Sequence, residues 1–378
     1  MIKKIIPQIE PWLGKEEIRE VAESIKAQWI SGGPKLKKFQ EKIAKLCQVK
    51  HAIGVCNGTQ ALYVGLKILG IDRGDEVIVP DFTFIASANA VVWAGGKPIF
   101  VDVDAKTFNI DPAKIEKAIT KKTKAIMPVH IYGQAAQMPE IMRIAKKYKL
   151  YVIEDAAQGI GVTYNGKPVG GFGDVGCLSF YADKVITTGE GGMVLTNNKR
   201  LAAKAVILLN QGRASRGWYS HDYLGYNFRM NDIAAGIGLA QLKKLSTIIK
   251  IKIKNENLYR KYLAEVPGVK FLYTDPEGFR VPYRSVIFVE DPQALLEFLD
   301  KSGIKTSRTF FPLHLQPCFI KKGGKLGMGE RVNLKIKGRF PNTISAYEKI
   351  LNLPSGATLK EREIRYVSEK IKEFFGRN

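Results

Sequence analysis

Lys184 stands in the run Ser179-Phe-Tyr-Ala-Asp-Lys184-Val-Ile-Thr-Thr-Gly-Glu-Gly-Gly192. A lysine among small and hydroxyl residues, followed by a glycine-rich turn, can form a Schiff base when its amine is held in a desolvated pocket. Most of the chain's lysines must be solvated, so Lys184 alone proves little and its surroundings decide. Asp155 closes the apolar run Tyr151-Val-Ile-Glu-Asp155, which puts it at a strand's carboxyl end, in a cleft. A carboxylate there can keep a heterocyclic nitrogen protonated. Gly58-Thr59 falls between a strand-like His51–Cys56 and a helix start, where backbone N–H groups and the helix dipole bind phosphate.

Parts so far apart in sequence need a scaffold that brings them together. Phe39, Ile43, Leu46 and Cys47 share one helix face. Short apolar runs follow at 76–80, 98–102, 125–129 and 151–155, separated by helical segments. Such alternation predicts a mostly parallel central sheet with helices on both faces, an α/β fold with its site at the strands' carboxyl ends. After about residue 245 the texture changes. A polar helix leads to strand-like Phe271-Leu-Tyr and Ser285–Glu290, then to a helix that Asp291-Pro292 opens and Gly303 ends. The tail from about Lys360 to Phe375 is helical, with Ile364, Val367, Ile371 and Phe374 on one face. The expected division is a large α/β domain over 1–245 and a smaller C-terminal α+β domain over 246–378.

Composition narrows the classes. The chain has 378 residues, 45% hydrophobic and 25% charged, which excludes wholesale disorder and leaves material for a large core. No stretch approaches the roughly 18 apolar residues of a membrane helix. The start has a basic pair but no apolar segment, so no secretory signal is expected and the chain reads as cytoplasmic. Cys47, Cys56, Cys177 and Cys318 are far apart and suit neither zinc nor a disulfide framework; no metal is expected. The net charge is +23. It reads either as attraction to phosphorylated molecules or as a solvated lysine-rich surface. The basic run from Lys321 to Arg339 is the densest example. No helix-turn-helix or zinc-finger spacing accompanies it, so nucleic acid is not an expected partner.

Three pattern matches fail on context. Gly171-Phe-Gly173-Asp-Val-Gly176 matches a dinucleotide fingerprint but precedes a strand-like run instead of opening a helix. Gly161 to Lys167 resembles a phosphate loop, with Pro168 where the magnesium-binding hydroxyl belongs. Asn57-Gly58-Thr59 is formally a glycosylation acceptor in a chain with no other sign of secretion.

Amine, buried carboxylate and phosphate turn are the three parts that pyridoxal 5'-phosphate chemistry needs. The sequence resembles the DegT-type sugar aminotransferases, fold type I pyridoxal-phosphate enzymes, nearly end to end. The resemblance rests on Trp29-Ile-Ser-Gly-Gly-Pro34, Phe82-Thr-Phe-Ile-Ala-Ser-Ala-Asn89, Phe100-Val-Asp-Val-Asp104, Ile153-Glu-Asp-Ala-Ala-Gln158, Thr187-Thr-Gly-Glu-Gly-Gly192 and Leu224-Gly-Tyr-Asn-Phe-Arg-Met230. It implies that Lys184 is the Schiff-base lysine, that Asp155 pairs with the pyridinium nitrogen, and that Gln158 lies near the ring oxygen. Gly58, Thr59 and Ser179 would hold the phosphate. Phe84 would stack on the ring, with a core phenylalanine as the competing reading. Asn227 would reach the phosphate of the other subunit in a homodimer with shared sites; a turn asparagine is the alternative. Some members are dehydratases with histidine in place of the lysine, so Lys184 points to transamination. Gln60, where alanine is common, is a departure.

The implied reaction is ping-pong, with L-glutamate as amino donor and a nucleotide-linked keto sugar as acceptor. The segment Gly303-Ile-Lys-Thr-Ser-Arg308-Thr-Phe-Phe-Pro-Leu-His314 resembles the branch that makes perosamine from GDP-4-keto-6-deoxymannose. That makes His314 and Arg308 candidate sugar or diphosphate contacts, and Trp29 a candidate near the nucleotide. A hydrogen-bonded structural histidine and a packed tryptophan remain open. So do a dTDP- or UDP-linked sugar, a cyclitol ketone and, from another class, a basic nucleic-acid-binding regulator.

Overall fold

The computed structural model describes residues 5–214, 219–320, 332 and 334–376. Seven strands form the main sheet: β1 (His51–Val55), β2 (Glu76–Pro80), β3 (Lys97–Val101), β4 (Thr123–Ile126), β5 (Tyr151–Asp155), β6 (Val175–Ser179) and β7 (Gly192–Thr196). Their order is β1-β7-β6-β5-β4-β2-β3. Neighbours from β6 to β3 run parallel, while β7 pairs antiparallel with both β6 and β1. One reversed strand in an otherwise parallel sheet, covered by helices, is the expected α/β architecture.

Alternation along each strand supplies both faces. On β5, Ile153 joins an apolar cluster with the helices Gly58–Ile68, Ala86–Trp93 and Lys199–Leu209. Val152 points the other way, into a cluster with the helix Met138–Tyr148. The two acids that end β5 are separated by the same rule. Glu154 shares the face of Val152, and its carboxylate accepts the N–H groups of Gly170, Phe172 and Gly173 at 2.7, 2.7 and 2.8 Å. His130 completes this nest: its Nδ1 accepts from Ala136 N, so Nε2 donates to Glu154 at 3.1 Å. The glycine run that mimics a nucleotide fingerprint therefore cradles an internal anion.

The helix Asp232–Tyr262 opens with Asn231 accepting from Ala234 N at 2.7 Å and runs unbroken across residue 245. Beyond it, a C-terminal domain contains a four-stranded sheet, in the order Lys270–Phe271, Ser285–Phe288, Ile350–Leu353 and Ser307–Arg308. The helices Pro292–Lys301 and Glu361–Gly376 pack on it. Two connections tie this domain to distant chain. Ile6 pairs with Ile304, and Gln8 Nε2 donates to Ser307 Oγ at 2.5 Å. Leu313, Phe319, Leu334 and Phe340 return to the main sheet's side and join the cluster around Ile153. Among the described residues no helix is long and apolar enough to cross a membrane.

Candidate active site

A cleft of about 500 Å³ opens at the carboxyl ends of the parallel strands. Asp155, the last residue of β5, lies on its floor. Its Oδ2 accepts from Ser87 Oγ at 2.7 Å and its Oδ1 from Ala157 N at 3.1 Å. Burial pushes this carboxyl's pKa up; the bonds from Ser87 and Ala157 and the charge of Lys184 pull it back. A cationic ring N–H beside it would favour the ionised form.

Gly58 and Thr59 begin the helix Gly58–Ile68, whose N-cap Asn57 accepts from Gln60 N at 2.9 Å. The N–H groups of Gly58 and Thr59 precede the first intrahelical bond, as an anion site requires. A side chain at position 58 would collide with Ser179, since its Cβ would lie 2.7 Å from that of Ser179. The glycine thus brings helix start and serine hydroxyl into one cradle. Gln158 Oε1 accepts from Tyr132 N at 2.7 Å, which fixes the amide at the cleft edge. Phe84 is 57% exposed, its ring edge-on to Phe310 at 6.4 Å, so an exposed aromatic face borders the cleft.

Lys184 Nζ donates to Tyr283 Oη at 3.3 Å and sits 3.5 Å from Asp183 Oδ1. Burial lowers its pKa, with Arg284 adding to that effect and Asp183 and Asp155 opposing it. A neutral amine at the mouth of a desolvated pocket is the state that condenses with an aldehyde. The residues present fit pyridoxal phosphate: a phosphate cradle, a buried acid for the ring nitrogen and an amine.

Gly58, Thr59, Phe84, Asp155, Gln158, Ser179, Lys184 and Arg308 all line this one cleft. Asn227, His314 and Trp29 do not. Asn227 is exposed and bridges to Asn210; Trp29 is 52% exposed. His314 is engaged elsewhere: its Nδ1 is 2.5 Å from Asp81 Oδ2, its N–H donates to Asp81 Oδ1 at 2.7 Å, and its ring stacks on Phe340. Of the basic run, residues 321–331 and 333 lie outside the described residues.

Apart from Arg308, sequence reasoning missed the other wall. Tyr283, Arg284, Thr309, Phe310 and Asn352 close the cleft from the C-terminal domain. Thr309 Oγ1 hydrogen-bonds Tyr132 Oη, and Phe310 stacks on the Tyr132 ring.

Fold and site together define a fold type I, pyridoxal-phosphate-dependent aminotransferase. Residues 11–372 match the DegT/DnrJ/EryC1/StrS aminotransferase family, and the chain belongs to that family. GDP-perosamine synthase of Escherichia coli O157:H7 is 39% identical over 376 residues, covering 98% of this chain and 99% of that protein. UDP-N-acetyl-3-dehydro-alpha-D-glucosamine 3-aminotransferase of Acidithiobacillus ferrooxidans is 37% identical over 339 residues, covering 88% and 87%. Among solved structures, the PLP-form of Spr1654 from Streptococcus pneumoniae, a candidate sugar aminotransferase, superposes with a TM-score of 0.90 at 26% identity, covering 99% of each chain.

Proposed function

We propose that the protein transfers the amino group of L-glutamate to a nucleotide-linked 4-keto-6-deoxy sugar, GDP-4-keto-6-deoxymannose, giving GDP-perosamine and 2-oxoglutarate. The observation that carries the chemistry is the meeting of a buried, pKa-lowered Lys184 amine and the buried Asp155 carboxylate in one cleft. The GDP sugar is supported by 39% identity to a GDP-perosamine synthase over 98% of this chain.

Pyridoxal phosphate, when bound, supplies an electrophilic aldehyde carbon and a ring that accepts the electron pair left at the donor's Cα. Asp155 would keep the ring nitrogen protonated. The backbone of Gly58 and Thr59, with the hydroxyls of Thr59 and Ser179, would hold the phosphate. Phe84 would cover the ring, and Gln158 would lie near its oxygen. Lys184 would anchor the group, and its Nζ would take the proton from the glutamate Cα, a role typically worth about 10²–10⁴-fold. The lowered pKa increases the uncharged share of Nζ that can accept that proton. Arg308 is the sugar-side cation, and Asn227 serves the partner's phosphate in a homodimer.

The test offers the protein, loaded with pyridoxal phosphate and L-glutamate, the GDP-, dTDP- and UDP-linked 4-keto sugars separately. Mass spectrometry identifies any amino sugar. Amination of the GDP sugar supports the reading. Amination of only a dTDP or UDP sugar keeps the aminotransferase and discards perosamine, and amination of none overturns both.

A further inference from the structure

Asp183 and Lys184 are neighbours in sequence, yet the carboxylate is organised from about a hundred residues away. Tyr283 Oη donates to Asp183 Oδ2 at 2.7 Å, and Arg284 donates to the same oxygen at 2.6 Å. The other oxygen, Oδ1, is buried and makes no hydrogen bond. It lies 3.5 Å from Lys184 Nζ. An orphaned buried carboxylate oxygen is destabilising unless a donor reaches it. Both basic groups approach the Tyr283 ring, with Lys184 Nζ 4.5 Å and the Arg284 guanidinium 4.8 Å from its centroid.

We propose that Asp183 is a positioning carboxylate for Lys184, clamped through Oδ2 by Tyr283 and Arg284 so that Oδ1 receives the lysine ammonium whenever the amine is released. This rests on the reading of Lys184 as the reactive amine. Arg284 is the counterweight. It anchors Asp183 and repels the ammonium, so the released amine is held in place without being locked in its charged form. Asp155 faces the same amine from β5 and favours the ammonium. Behind the clamp, Lys252 Nζ donates to the carbonyls of Ser355 and Tyr283 at 2.7 and 3.4 Å, close to the Glu256–Arg280 pair. His130 is committed to Glu154 on the opposite face of β5. The two charges that bear on the amine without also serving a ring nitrogen are therefore Asp183 and Arg284, and they oppose each other.

The experiment reads the protonation of Lys184 directly. Full-length protein stripped of cofactor is pulsed with acetic anhydride at a series of pH values, and acetylation of the Lys184 peptide is followed by mass spectrometry. Asp183→Asn is expected to lower the midpoint by about one pH unit, a tenfold change. Arg284→Met is expected to raise it, and the double variant to fall between the two. A purely structural role would leave the midpoints together, and that result would overturn the proposal. Should Asp183→Asn fail to fold because Arg284 is left buried and unpaired, comparing the double variant with Arg284→Met makes the same charge test. The readout needs no sugar and no turnover. Shifted midpoints in an inactive protein would sink the proposed function alone; fixed midpoints in an active aminotransferase would sink the role of Asp183 alone.

Discussion

Asp155, Ser179 and Gly58 on the floor of the cleft are placed by two strand ends and a helix start of one region of the main sheet. Tyr283, Arg284 and Arg308 on its wall arrive from the C-terminal domain; the first two are held by the Asp183 side chain and Arg308 by the Tyr347 carbonyl. The floor is sterically determined. Gly58 has no room for a Cβ, which would lie 2.7 Å from Ser179 Cβ. The wall is held by hydrogen bonds and ring contacts, such as Arg284 to Asp183 and Phe310 to Tyr132. A floor fixed by backbone placement suits steps common to all substrates, whereas a wall built from side-chain contacts suits choice among them.

That contrast can be broken by substitution, beginning where the effect should be greatest. Lys184→Ala should lower kcat by at least ~10²–10⁴ while leaving the thermal midpoint near that of the wild type; near-normal multiple turnover would end the assignment of the amine. Asp155→Asn keeps the shape of the floor and removes its charge. It should cost ~10²–10³ in kcat, the range for a lost electrostatic stabiliser, with the same loss for every accepted sugar. A loss confined to one nucleotide sugar would move Asp155 to the substrate side. On the wall, Arg308 donates to Tyr347 O at 2.6 Å, and its buried Nε makes no hydrogen bond. Arg308→Ala should raise KM for the sugar about tenfold, ~1.4 kcal/mol, with kcat little changed; an unchanged KM and a collapsed kcat would erase the distinction between wall and floor. The smallest catalytic effect belongs to His314. His314→Asn deprives buried Asp81 of its ring partner and should cost ~1–3 kcal/mol of stability, read as a lower Tm. The KM for the sugar should stay within about threefold, ~0.6 kcal/mol. A large KM change at constant Tm would make His314 a substrate contact after all.

The same contrast explains what could be read without coordinates. Strand ends and strand-to-helix junctions carry local signals, so Asp155, Gly58, Thr59 and Lys184 could be assigned to one cleft from pattern and resemblance. Tyr283 and Arg284 have no such signal, because their partner Asp183 is 100 and 101 residues away. His314 sits at a proline-rich bend that invites a functional reading; its commitment to Asp81, 233 residues distant, leaves no trace in its own neighbourhood. The glycine run at 171–176 shows the converse. Its composition suits an anion, but it holds the Glu154 carboxyl group, and only its place before a strand, not the glycine pattern, set it apart from a phosphate site.

The pairing of Ile6 with Ile304 also sets an order of assembly. Ile6 N donates to Gly303 O and accepts back from Lys305 N through its carbonyl, at 2.8 and 2.9 Å. During synthesis at about 5–20 residues per second, the stretch around Ile6 emerges roughly 15–60 s before its partners exist. The sheet that carries Asp155 and Lys184 can form in that interval, from contacts already made. Gln8 cannot reach Ser307 and Asn352 until most of the chain has been made. An early segment kept waiting is exposed to the wrong neighbours, so a bulky fusion ahead of Ile6 should slow the maturation of the sugar-side wall more than that of the cofactor floor.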